Sequence, residues 1–147
     1  MIHLVNIKAF DAHALTFALN GVDFHAAHSM DAKEAEGVIV VGKTCPVALR
    51  LESEIAVDYL DTPKPAIELV QSRPGGDRVR VKGRITDYLA HNAIRLDGIG
   101  SVEVALRLPQ QSTDYRRNSW LVAEGKLVAS LPPDDHNEAG LKGSIVG

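Results

Sequence analysis

Four cations recur at every second position in Arg78-Val79-Arg80-Val81-Lys82-Gly83-Arg84-Ile85. Side chains alternate between the two faces of a β-strand, so this spacing predicts that Arg78, Arg80, Lys82 and Arg84 share one face while Val79, Val81 and Ile85 point the other way. At a rise of about 3.3 Å per residue the cations stand about 6.6 Å apart, close to the phosphate spacing of an extended single strand of nucleic acid. By the same alternation Arg95 and Arg107 face outward from neighbouring strands, with Ile94, Leu96, Val102, Val104 and Leu106 inward. Trp120 precedes Leu121 and Ala123, which the alternation sends inward, so the indole falls outside, beside the cations, where it can stack on a base, whereas a shift of register by one would bury it in the core, the commoner place for a tryptophan. Tyr88 and Tyr115, expected in loops, are further stacking candidates. The opposing reading of this face is a solvated charged surface that discourages edge pairing.

The other reactive side chains do not assemble into a catalytic set. His25 and His28, with Asp23 and Asp31 nearby, form the one cluster resembling a metal site. Their spacing suits a helix, but the alternation of Val22, Phe24 and Ala26 predicts a strand, on which the two rings point to opposite faces. Cys45 has no second cysteine and no assignable base, and is expected to be a small semi-buried residue. Asp134-Asp135 fall in a tail that cannot hold the geometry of acid–base catalysis. Pro74-Gly75-Gly76 leads into a strand, whereas a phosphate-cradling loop leads into a helix. The expectation is no catalytic residue, no metal and no cofactor.

With 147 residues, 45% hydrophobic and 24% charged, the chain is expected to fold around one core or two small fused cores. Its single cysteine points to the reducing cytoplasm, and no signal peptide or apolar run of about 20 residues points to export or a membrane. The net charge of −3 weighs against a polyanion partner, yet it is unevenly distributed. Residues 1–74 carry six Lys/Arg and ten Asp/Glu, whereas 78–126 carry nine and five.

The elements that must position the cations are short and alternating. Strands are predicted at 2–10, 14–20, 22–27, 37–42, 46–52, 55–60, 66–71, 78–86, 93–97, 101–108 and 119–131, as an antiparallel barrel requires. Short helices are expected near 31–36, with Asp31 as cap and Gly37 as stop, and near 109–117. The halves read either as copies of one unit or as two runs of the alternation and Asn-Gly or Asp-Gly turns that all antiparallel strands share. His13 to Gly21 parallels His91 to Gly98, Val22-Asp23-Phe24 parallels Val102-Glu103-Val104, and Val38 to Lys43 parallels Leu121 to Lys126. This divides the chain into a first β unit at 1–60, a connection at 61–77, a second unit at 78–131 and a flexible tail at 132–147.

The segments Val79 to Ile85, Ile94 to Gly98, Val102 to Val104 and Trp120 to Val128 resemble the strand grammar of OB-fold domains: a first strand bending at a glycine, a hairpin, a short helix after the third strand, and a late strand carrying a glycine. The resemblance covers about residues 77–131, and 2–52 more weakly. It implies a small, mainly β barrel, single or doubled, and a single-stranded nucleic-acid partner. The acidic tail with Ile145 and Val146 near its end resembles the protein-recruiting tail of bacterial single-stranded-DNA-binding proteins, without their terminal aromatic. The leading expectation is thus a non-catalytic nucleic-acid-binding protein using Arg78, Arg80, Lys82, Arg84, Arg95, Arg107, Trp120 and Tyr88. The alternative is an assembly module whose β surfaces contact a protein partner or a second copy of the chain.

Overall fold

The computed structural model describes residues 2–132. Ten strands dominate it: β1 (His3–Phe10), β2 (Ala14–Leu19), β3 (Val22–Ala27), β4 (Thr44–Ser53), β5 (Asp58–Tyr59), β6 (Ala66–Gln71), β7 (Arg78–Ala90), β8 (Ala93–Gly98), β9 (Gly100–Ala105) and β10 (Trp120–Ser130). A one-turn helix α1 (Ala32–Ala35) and a 3-10 turn (Ser112–Asp114) are the helical pieces among the described residues. The chain is mainly β, as its two-residue alternation predicts. No helix among the described residues is long and apolar enough to cross a membrane.

Hydrogen bonds join eight strands into a ring, β1-β2-β3-β10-β7-β8-β9-β4 and back to β1. The ring is not a regular barrel, because β4 and β10 also pair with each other across it, from Leu51↔Leu127 to Ala48↔Ser130. That pair divides the ring into two five-strand circuits, one of β1, β2, β3, β10 and β4, the other of β7, β8, β9, β4 and β10. Pairing is antiparallel except at β3–β10 and β4–β9. Outside the ring, β5 adds to β10 and β6 to β7.

The two circuits repeat one pairing scheme, including one bulge in the first hairpin, although β7–β8 has a second bulge between Tyr88 and Ala90 that β1–β2 lacks. In β1–β2 the partners are Asn6↔Ala18, Ile7↔Phe17, then after a bulge Ala9↔Thr16 and Phe10↔Leu15. In β7–β8 they are Arg84↔Asp97, Ile85↔Leu96, then after a bulge Asp87↔Arg95 and Tyr88↔Ile94. The parallel contacts correspond too, Val128↔Ala27 in one circuit and Glu52↔Ala105 in the other. The matching differs in detail from the sequence parallels. Leu15 answers Ile94 rather than Ala93, and Phe24 answers Val102, because the second hairpin turns through Gly98, Ile99 and Gly100.

The counterpart of β10 is β4, and the strand expected at 37–42 is absent. Gly37 and Gly42 adopt positive φ of 80° and 86°, and the segment between them folds into turns closed by Val38 N–H to Ala35 O and Lys43 N–H to Val40 O. Its apolar run signalled burial, but only Ile39 enters the core, while Val38, Val40 and Val41 are exposed. At α1 the Asp31 carboxylate accepts from Lys33 N–H at 2.8 Å, as a cap should.

Each circuit is filled by inward-alternating residues: Ile7, Leu15, Phe17 and Phe24 in the first, Ile85, Ile94, Leu96 and Val102 in the second, with Leu51 and Leu127 at the shared crossing. Each such side chain contributes about 1.5–3 kcal/mol by burial. The crossing needs Gly125, where a Cβ would collide with the Glu52 carbonyl. Gly83 sits similarly close, 2.9 Å separating a built Cβ from Asp97 O.

Candidate functional site

The cationic row lies where alternation places it, on the outer face of β7, with Val79, Val81 and Ile85 buried behind it. It is flanked on both edges. On β10 the register sets Glu124 opposite Arg80, Val122 opposite Lys82 and Trp120 opposite Arg84. On β6 it sets Glu68 opposite Arg80 and Ala66 opposite Lys82. Outward carboxylates on the flanking strands therefore interleave with the cations.

The result is a continuous charged lattice. Glu124 accepts from Arg78 Nε at 2.7 Å on one oxygen and from Arg80 Nε at 3.1 Å on the other. Arg80 also reaches Glu68 at 3.7 Å, and Lys82 Nζ lies 3.4 Å from the same Glu68 oxygen. Arg78 stands 3.8 Å from Glu54, whose two oxygens each accept from Arg73 at 3.1 Å. Lys82, Glu68, Arg80, Glu124, Arg78, Glu54 and Arg73 thus form one chain of alternating sign. Glu124 is buried to 7% exposure. Burial acts to raise its carboxyl, but the hydrogen bonds from Arg78 and Arg80 outweigh it, so the group ionises below the usual carboxylate range.

Arg95 is likewise bonded to Asp87. Arg107 lies two residues beyond the end of β9, in a loop rather than on a strand, and donates to the Glu54 carbonyl. Arg84 differs. It is exposed and has no carboxylate within 4.0 Å among the described residues, and the same holds for Arg116 and Arg117. The turn carrying those two joins β7 where Ile85 N–H bonds Ser119 O and Asn118 N–H bonds Ile85 O, next to the Arg84↔Trp120 pair.

Of the aromatic candidates, Trp120 is half-buried on the outer face, as expected. Tyr88 lies on β7 and not in a loop. Its hydroxyl donates to Tyr115 O at 2.6 Å, and the Arg117 guanidinium lies 5.1 Å from its ring centroid. Tyr115 is in the core and offers no ring to a partner. Its hydroxyl donates to Val57 O at 2.7 Å, and burial, with the charges of Asp114 and Asp58, pushes its pKa up to about 12.

His25, His28 and Cys45 are engaged within the fold. His28 stacks on Phe10 at 4.8 Å, with Nε2 against Asp11 O and Nδ1 accepting from Met30 N–H. The backbone of His25 is held by the buried Asp77. Cys45 is buried on β4 against Val40. Asp134 and Asp135 lie outside the described residues, as does the tail beyond Pro132.

Sequence reasoning did not single out Glu54, Glu68 and Glu124 as counter-ions, nor the edge position of β6. Among the described residues that strand pairs only with β7, and its Leu69 and Val70 are 42% and 39% exposed. Beside it runs a mostly apolar groove of about 230 Å³ lined by Leu19, Asn20, Val22, Phe24, Ala66, Ile67 and Ile99. No known family model, curated protein or solved structure matches this chain.

Proposed function

We propose that this chain is a non-catalytic binding module that works through its β surfaces, docking a protein partner at the free edge of β6. The observation that carries this reading is the internal neutralisation of the cationic row: Arg78, Arg80 and Lys82 are matched by Glu54, Glu68 and Glu124. A row that tracks phosphates must displace the counterions condensed on the strand, and cations already matched by carboxylates of their own sheet have little charge left with which to do so. The open, apolar β6 edge is by contrast a surface that another strand can extend. The two five-strand circuits also follow an OB-like order, each with a third strand parallel to a late strand. In this doubled OB-like reading, each unit of the pair 1–60 and 78–131 takes its last strand from the other.

A second reading, single-stranded nucleic-acid binding, keeps one specific support: Arg84, Arg116 and Arg117 are unpaired among the described residues and flank Trp120 and Tyr88. One titration separates the two. A labelled single-stranded oligonucleotide is followed by fluorescence anisotropy at several salt concentrations. The protein-binding reading expects no saturable binding even at low salt. Saturable binding whose log–log salt slope becomes shallower by about 0.7 in Arg84→Glu would replace it with the nucleic-acid reading.

A further inference from the structure

We infer that the partner at the β6 edge is a second copy of this chain, the two β6 strands pairing antiparallel about a twofold axis. The inference rests on the protein-binding reading above and names its occupant. β6 bonds to β7 along one side, which leaves the outward N–H and C=O groups of the other side without a strand among the described residues. Natural edges are shielded by prolines, lysines or inward-pointing charges. Ala66-Ile67-Glu68-Leu69-Val70-Gln71 has no proline or lysine, and the charge it carries points outward into the lattice. Its bulge lies at the far end, between Leu69 and Gln71, where it leaves Val70 exposed.

A twofold axis through Glu68 sets Ile67 of each copy opposite Leu69 of the other. On the β7 side these two residues oppose Val81 and Val79, so both cross-copy pairs fall on the apolar face of the joined sheet. The same register brings Glu68 face to face with its symmetry mate. In a foreign strand an opposing carboxylate would arrive unpaired and repel. In a second copy it arrives with Arg80 and Lys82 at 3.7 and 3.4 Å, so four cations surround the two carboxylates at the centre of the interface. Antiparallel pairing of one strand with itself is also the self-complementary contact that a closed dimer requires.

Sedimentation velocity of the full chain, from low micromolar to several hundred micromolar, tests the inference. The native chain is expected to pass from monomer to dimer with rising concentration. Leu69→Lys, at an exposed position, should weaken the dimer at least tenfold with the thermal unfolding midpoint unchanged, and Val70→Lys should act in the same direction. Arg84→Glu, away from the edge, should leave the dimer intact. A monomer at every concentration, or a dimer indifferent to both edge substitutions, overturns the inference. The oligonucleotide titration separates the levels of failure: a monomer without oligonucleotide affinity removes only the second copy, and a monomer that binds the oligonucleotide removes the protein-binding reading as well.

Discussion

In the first half of the chain β1 runs for eight residues, and its edges are taken by β2 and β4. In the second half β7 runs for 13 residues; it takes β8 from Arg84 to Ala90, β10 from Arg78 to Arg84, and has room beside Arg78 to Lys82 for a further strand, β6. Positions that answer one another across the halves, such as Ile7 and Ile85, Phe17 and Leu96, or Leu51 and Leu127, are core positions. The free edge, and the charged lattice apart from Glu54, belong to what the second half has in addition. Packing therefore explains the shared scheme, and the addition is what the proposed partner would use.

The largest effects should come from the shared core. Phe17→Ala is expected to cost about 3–5 kcal/mol and Leu96→Ala about 2–5 kcal/mol. Because β4 and β10 belong to both circuits, both substitutions should shift one common transition. Denaturant unfolding followed by far-ultraviolet circular dichroism and by Trp120 fluorescence checks this: Phe17→Ala, in the half without the tryptophan, should move both curves equally. Two separated transitions would break the equivalence of the halves.

A sharper contrast lies at the crossing, where Gly125 answers Leu49. Leu49 is buried with a full side chain, whereas any Cβ at 125 meets the Glu52 carbonyl. Gly125→Ala should therefore destabilise by about 1–3 kcal/mol although it adds only a methyl group. Chemical denaturation measures it, and a neutral result would mean that β10 does not cross β4 at that point.

Within the lattice, Glu124→Gln should cost about 1.5–3 kcal/mol at neutral pH, the worth of a hydrogen bond to a charged group. The sign of its pH dependence follows from the lowered carboxyl. Its stabilisation is complete above the unfolded-state value of about 4.3 and is lost as pH falls through the lower folded-state value. The gap between native chain and variant, measured by unfolding across acid pH, should close in that window; a gap independent of pH would contradict the lattice. The smallest effect belongs to Arg84→Glu, within about 0.5 kcal/mol, since the side chain is exposed and unpaired. Arg80→Glu, facing Glu68 and Glu124, should cost more than 1 kcal/mol by like-charge contact, about the size set by the ordinary worth of charged hydrogen bonds.

Much of this architecture is written in the two-residue period. That period gives β1 to β4 and β6 to β10 to within a few residues, the outward set of cations on β7, and Trp120 on their side. It fails between Gly37 and Gly42, where valines and an isoleucine mimic a buried strand and the glycines at positive φ decide for turns. It also cannot say which strand lies beside which. Glu68 and Glu124 are 56 positions apart, and only the pairing of β6 and β10 to opposite edges of β7 makes them the counter-ions of one row. The free side of β6 is hidden for the same reason, since an edge is a property of the sheet and not of a segment.

Amide hydrogen exchange of β6 at two protein concentrations, dilute and several hundred micromolar, tests the central claim most directly. If β6 is the docking edge, backbone amides among Ile67 to Val70 that face away from β7 exchange fast in the dilute sample and slow at the higher concentration, while the amides of Arg84 and Trp120 stay unchanged. Equal exchange of β6 at both concentrations, with protection appearing around Arg84, Arg117 and Trp120 only when a single-stranded oligonucleotide is added, would contradict it.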